Sequence, residues 1–173
     1  MPHEFEATVE AVRWGRSTYT LLRVPAALVD AAAGAGTRRV AGTVEDVPVN
    51  LALQHVTDLG DPFVYAGAAL LRRARAEVGE PVRCVLAPAD PDEVPVPPDV
   101  EEARRRAGLL ATWESRRPAV RRRLLQPVES AVREQTRATR VEQLLDAVLH
   151  DEEALAAAEV RALRRALTAL DLA

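Results

Sequence analysis

The chain has 173 residues, which is enough for one domain or for a small domain with an appendage. Apolar residues make up 48% and charged residues 28%, which argues against wholesale disorder, and the net charge of −3 argues against a strongly basic nucleic-acid-binding protein. A single cysteine excludes a disulfide framework and cysteine-based metal clusters, and three histidines leave little room for another metal site, so we expect no metal and no cofactor.

The sequence predicts six strands and two short helices in the first part of the chain, up to about residue 98. Apolar residues alternate with polar ones in the first strand, which predicts that Phe5, Ala7, Val9 and Ala11 face a core. Pro25 is expected at the first helical position, where its missing N–H does no harm. The predicted elements in chain order are strands 5–11 and 18–24, helix 26–33, strands 38–44, 47–53 and 63–66, helix 68–76 and strand 81–86.

The order strand, strand, helix, strand occurs twice in this part. Val24 aligns with Ala66 and Val40 aligns with Val82, and both pairs are 42 positions apart. Two units of this size cannot each bury a core alone, so we expect them to close on each other as a small closed or half-closed barrel, which also removes exposed strand edges.

A proline- and acid-rich connector over residues 88–98 follows, and the rest of the chain, residues 99–173, predicts helices. Asp99 is the expected N-cap of the first helix, and Pro118 should open another that Pro127 kinks or restarts. The spacing of Val141, Leu144, Leu145 and Val148 predicts a buried helical stripe.

The sequence predicts a separate last helix that Asp151 caps. Leucines at 163, 167 and 170 lie along one side of it and suggest self-association into a homo-oligomer. Residues 1–99 carry 9 arginines against 14 acids, whereas residues 100–150 carry 11 arginines against 7 acids. We therefore expect an acidic barrel to dock against a basic helical segment.

Several short motifs, in their order and spacing, resemble a known pair of bacterial families. The motifs Val40–Val44, Gly79–Val82 and Val94–Val100 resemble the domain of unknown function 1905. The segment Trp113–Leu145, with Gln135-Thr136-Arg137, resembles the helical YdeI/OmpD-associated module, also called bacteriocin-protection. The resemblance implies an α+β protein with a double-split-type β-barrel followed by helices, and it implies no activity.

Three arginines in the helical part are spaced so that they share one helix face. Arg133, Arg137 and Arg140 follow i, i+4, i+7, and Arg137 lies on the side of the apolar stripe. Because an inward arginine must be paired, two interpretations remain. One is a bidentate clamp for a carboxylate or phosphate, with Thr136 beside it. The other is a salt bridge to barrel acids such as Glu45, Asp46, Glu77 or Glu80.

Other candidate residues have simpler structural interpretations. His55 and Asp58 lie in a polar loop between strands and are candidate ligand contacts, but no recognisable nucleophile accompanies them. Cys84 alternates with buried positions and should be an inert core residue. Trp14 and Trp113 are each flanked by arginines, which favours cation–π packing.

The sequence thus favours a non-enzymatic binding module for a small anionic ligand or a protein partner. Two alternatives are a nucleic-acid-binding regulator that uses the barrel, which the acidic first part disfavours, and an unrecognised enzyme that uses His55 and Asp58. Neither a targeting signal nor an apolar stretch of membrane-spanning length is found, so we expect a cytoplasmic protein that does not bind membranes.

Overall fold

Six antiparallel strands close into a barrel in the computed structural model of the chain, which describes residues 1–151. The barrel belongs to the first of two compact units, which ends at Pro95, and the second unit begins at Val96. The strands are β1 (His3–Trp14), β2 (Ser17–Arg23), β3 (Arg39–Val44), β4 (Val47–Gln54), β5 (Phe63–Tyr65) and β6 (Pro81–Pro88).

The pairing order around the barrel, β1-β2-β5-β4-β3-β6, reflects the internal repeat. Exchanging β1 with β4, β2 with β5 and β3 with β6 leaves every pairing unchanged. Helices α1 (Ala26–Gly34) and α2 (Ala68–Ala74) occupy equivalent places in the two halves, and their N-caps, Pro25 and Gly67, are 42 positions apart. The predicted barrel of two β-β-α-β units is therefore confirmed.

Pro25 is the N-cap of α1 and not its first helical residue, because its ψ of 146° is extended. The fixed φ of proline suits both positions, so composition alone could not separate them.

The barrel core is built from valine, leucine and alanine side chains that alternate inward along the strands. Ala7 and Val9 are buried as predicted, and Phe5 packs against the same core. Ala11 is exposed, contrary to prediction, because β6 pairs with β1 only as far as Thr8 and the end of β1 projects past the barrel wall.

Gly42 allows β3 to approach β6 closely. Its φ of +148° lies in a region that favours glycine, and a Cβ at this position would lie 2.0 Å from the carbonyl oxygen of Val85. The residue is thus required for closing this side of the barrel.

The second unit is helical throughout the part that the structure describes. Its helices are α3 (Pro98–Arg106), α4 (Leu110–Glu114), α5 (Pro118–Ser130) and α6, which begins at residue 134 and is helical up to residue 151, the last that the structure describes. Val141, Leu144 and Val148 are buried and Leu145 is half-buried, which confirms the predicted stripe. No helix within residues 1–151 has both the length and the apolar character needed to cross a bilayer.

Two predicted helix boundaries are wrong. Pro97 is the N-cap of α3, which places Asp99 inside the first turn, where the helix dipole still favours its charge. Of the two outcomes predicted for Pro127, the restart is not found, because α5 continues through this residue to Ser130. Asp151 is itself helical and does not cap a separate helix, and the leucines at 163, 167 and 170 lie outside the described residues.

Candidate functional site

The N-terminal end of α6 carries four of the predicted ligand-binding residues. The carbonyl of Arg133 accepts the first hydrogen bond of the helix, from the N–H of Arg137, at 2.9 Å. Thr136, Arg137 and Arg140 follow in the first two turns of α6. The helix forms here because the buried stripe further along anchors it, which fixes the rotation of its first turns.

Arg137 binds a carboxylate of its own chain in the bidentate manner that the sequence suggested for a ligand. Its Nε donates to Oδ2 of Asp99 at 2.6 Å, and its Nη2 donates to Oδ1 at 2.9 Å. Its Nη1 donates to the backbone carbonyl of Val128 at 3.0 Å. Because Asp99 lies in α3 and Val128 in α5, one guanidinium connects three helices.

The ion pair shifts the pKa of both partners. The hydrogen bond from Arg137 lowers the pKa of Asp99, and the hydrogen bond to Asp99 raises the pKa of Arg137. The side chains are 30% and 44% exposed, so water screens the pair in part. Both groups are charged at neutral pH, and the pair is a structural connection.

The expected salt bridge of Arg137 is therefore found, but its partner is Asp99 and none of the barrel acids considered from the sequence. The Nε and Nη2 pair with which Arg137 would bind a ligand carboxylate in the bidentate manner is already bonded to Asp99, and its Nη1 is bonded to the Val128 carbonyl. Arg137 is thus placed to position the residues around it.

Arg133 and Arg140 lie on either side of Arg137 along the helix. Arg133 is exposed and Arg140 is half-buried, and among residues 1–151 neither forms an ion pair. Thr136 is also exposed, and its hydroxyl lies in the first turn. Two guanidinium groups, a hydroxyl and the N–H groups of a helix N-terminus form a set of donors suited to an anion.

Sequence analysis did not single out a buried arginine in α3. The side chain of Arg104 is only 8% exposed; it donates to Glu101 and, at 3.0 Å, to Glu114. Its guanidinium lies 5.5 Å from the ring centre of the fully buried Trp113. The spacing from the buried Val100, at i+4, is the signal that could have found it.

The cation–π contact predicted for Trp113 is thus made by Arg104 and not by the flanking arginines. Arg116 instead donates to Asp151 at 2.5 Å and to the carbonyl of Val148 at 3.0 Å. These contacts hold α3, α4 and α6 together, so several arginines of the helical unit stabilise the unit itself.

His55 and Asp58 lie in the first unit, in the loop between β4 and β5, and both are exposed. The loop contains a short 3-10 turn at Thr57–Leu59 and is braced by Arg23, which donates to the carbonyls of Leu59 and Asp61 at 2.6 and 2.7 Å. These two candidates therefore belong to a different unit from the α6 residues.

The remaining reactive side chain is buried. Cys84 is in the barrel core, where burial raises the pKa of its thiol to about 11, with a smaller contribution from Glu45. A neutral buried thiol is a poor nucleophile, which agrees with the predicted structural role. Within residues 1–151, no group of three or more histidine, cysteine or acidic side chains is placed to hold a metal ion.

Comparison with known proteins yields two family matches in the predicted order. Residues 5–86 match the domain of unknown function DUF1905. Residues 93–150 match the family described as bacteriocin-protection, YdeI or OmpD-associated. No curated protein and no solved structure matches the chain. The first match spans the barrel, and the second spans α3 to α6.

Proposed function

We propose that the chain is a non-enzymatic binding protein that recognises a small anionic ligand at the start of α6. The proposal rests on the chemistry of the site, because the two families that residues 5–86 and 93–150 match, DUF1905 and the YdeI or OmpD-associated family, have descriptions that name no reaction. Arg133, Thr136 and Arg140 contact the ligand. Arg137 positions them through Asp99.

One observation supports this proposal above others. The central arginine of the face is held by a carboxylate, whereas Arg133 and Arg140, one turn or so to each side, have no acidic partner among the described residues. Guanidinium groups bind carboxylate and phosphate in a fixed, two-pronged geometry, so a pair held at a constant spacing favours an anion with several oxygens.

Titration calorimetry with citrate and with inorganic phosphate tests the site. We expect a dissociation constant on the order of 1 mM or tighter for the better of the two anions, and a loss of about tenfold or more in the variant with Arg133→Ala and Arg140→Ala. Arg123→Ala is the matched control, because Arg123 is exposed on α5 of the same unit.

A positioning role for Arg137 predicts a different response. Arg137→Lys keeps the charge but loses the planar fork, so Asp99 is held less firmly and anion binding weakens while the unit stays folded. Equal anion binding by the wild type and the double variant, or no binding of either anion, would refute the site at α6.

A further inference from the structure

The hairpin of β1 and β2 extends beyond the barrel. β6 pairs with β1 from His3 to Thr8, and β5 pairs with β2 only from Leu21 to Arg23. β1 and β2 nevertheless pair with each other as far as Trp14 and Ser17, where a two-residue turn begins with Gly15 at a φ of +62°. Residues 11–14 and 17–19 therefore form a two-stranded ribbon, called here the β1–β2 ribbon.

Among residues 1–151, no strand pairs with one edge of this ribbon. The backbone of Val9 bonds to the loop before β6, donating to the carbonyl of Glu80 at 2.9 Å and accepting from the N–H of Gly79 at 2.8 Å. Backbone groups on a strand point alternately to its two edges, so those of Ala11 and Arg13 point to the same edge as those of Val9. β6 is no longer alongside at these residues, and the edge can accept another strand.

The ribbon also carries an exposed aromatic face. Trp14 is 46% exposed and Tyr19 is 40% exposed, and their ring centres lie 6.4 Å apart. Tyr65 continues the row at 5.6 Å from Tyr19, and Phe63 follows at 5.3 Å from Tyr65. Four of the six aromatic residues of the protein therefore lie in one row, which runs from the exposed Trp14 and Tyr19 through the half-buried Tyr65 to the buried Phe63. Two neighbouring exposed aromatic side chains at the tip of the ribbon favour an interaction site there.

The charges at the tip differ from those of the barrel around it. Glu4 and Glu10 of β1 are paired with Arg83 and Arg23. Arg13 and Arg16, in contrast, are exposed and form no ion pair among residues 1–151. The tip is thus a small basic site on an acidic unit, which favours an acidic partner.

We propose that the β1–β2 ribbon binds an extended acidic peptide segment of another protein, which adds as a strand to the open edge of β1. Its backbone pairs with that of Ala11 and Arg13. Because neighbouring strands present side chains in step, the apolar side chains of the peptide lie on the face of Trp14 and Tyr19, and its acidic side chains lie on the opposite face, with Arg13. The partner segment therefore alternates acidic and apolar residues.

A defined peptide tests this directly. The probe is the capped peptide Thr-Glu-Val-Glu-Val-Glu-Thr, titrated into the full chain by calorimetry and by tryptophan emission. We expect a dissociation constant on the order of 0.1 mM and a change in emission, because Trp14 is exposed whereas Trp113 is already buried. Trp14→Ala should remove the emission change and weaken binding about tenfold.

Two modified peptides separate strand addition from attraction by charge. Methylation of alternate backbone nitrogens removes the donors that pair with β1, and should weaken binding about tenfold or more. Replacing Glu with Gln should weaken it several-fold, mainly at low salt. On the protein side, Arg13→Gln should weaken binding, whereas Arg73→Gln on the exposed surface of α2 should leave it unchanged.

Three results would overturn the proposal. One is equal binding of the methylated and unmethylated peptides, and the second is no binding of any peptide. The third is that the protein binds oligothymidine and not the peptide, and that Arg13→Gln weakens the binding of oligothymidine. The ribbon lies in the first unit and α6 in the second, so failure here leaves the anion site at α6 to stand or fall by its own titration.

Discussion

Separate and joint removal of Arg137 and Asp99 tests whether this pair is the structural connection inferred above. The variants are Arg137→Ala, Asp99→Ala and the double variant. The structure gives the pair two hydrogen bonds, at 2.6 and 2.9 Å, and gives Arg137 a third, to the carbonyl of Val128. If the pair stabilises the helical unit, the effects of the two single changes cannot add.

The expected sizes follow from the exposure of the partners. Charge-assisted hydrogen bonds contribute about 1.5 to 3 kcal/mol when well buried, whereas exposed ion pairs contribute about 0.2 to 1 kcal/mol. With side chains that are 30% and 44% exposed, we expect a coupling free energy of about 1 kcal/mol. Arg137→Ala should cost about 2 kcal/mol, since it also removes the bond to Val128, and Asp99→Ala should cost about 1 kcal/mol.

Urea unfolding followed by tryptophan emission measures these changes, provided that the signal comes from the helical unit. A Trp14→Phe background leaves Trp113, which is fully buried in that unit, as the sole reporter. The free energy of unfolding is then compared across the four proteins of the cycle. A coupling energy of zero, with the costs of the two variants simply additive, would refute the structural interpretation.

The pair of Arg137 and Asp99 also predicts how the stability of the protein changes at acid pH. Arg137 holds the pKa of Asp99 below its ordinary value of about 3.9, so the folded protein keeps the carboxylate charged where the unfolded chain does not. This stabilisation is present above about pH 4 and is lost as the pH falls through the folded pKa. The loss of stability below pH 4 should be smaller in Arg137→Ala. The same loss in this variant as in the wild type would contradict a stabilising role of the ion pair.

Three further predictions concern packing. Gly42→Ala should destabilise the barrel by about 3 kcal/mol or more, measured by urea unfolding, because its Cβ would meet the Val85 carbonyl at 2.0 Å; a loss under about 1 kcal/mol would contradict this contact. Cys84 should resist thiol reagents until the protein unfolds. The free energy of unfolding should fall as the pH rises from about 8.5 towards about 11, because the Cys84 thiol ionises in the unfolded chain before it does in the folded protein, where its pKa is about 11. Arg104→Ala should cost about 3 kcal/mol and Arg104→Met only about 1 kcal/mol, since methionine refills the space over Trp113; equal costs in calorimetric melting would argue against this packing role.

The barrel was predictable because its determinants are local. Alternation identifies the buried face of each strand, and the repeat at 42 positions indicates that two equivalent halves must share a core. The β1–β2 ribbon was not predictable in this way. Alternation through Ala11 looks the same whether or not a neighbouring strand is present, and the end of the β6 pairing at Thr8 is a property of the assembled barrel.

For the candidate site, the sequence predicted which way Arg137 points but not which residue it pairs with. The helical phase placed Arg137 on the side of the apolar stripe, and the structure agrees. Its partner, Asp99, is 38 residues away, and their meeting depends on how α3 packs against α6, which no local pattern encodes. Arg104 escaped notice for a related reason: in a run of three arginines, only the packing of the helix determines which one is buried.

All 23 basic residues of this chain are arginine, and this explains why structural and ligand-binding roles are hard to separate in the sequence. The planar fork that suits an anionic ligand is the same fork that lets Arg137 hold Asp99 and the Val128 carbonyl together. What separates the two roles is whether the protein itself satisfies the donors. By that criterion Arg137 and Arg104 are structural, whereas Arg133 and Arg140 on α6, and Arg13 and Arg16 on the β1–β2 ribbon, have no ion-pair partner among residues 1–151 and are the groups that we propose bind an anion.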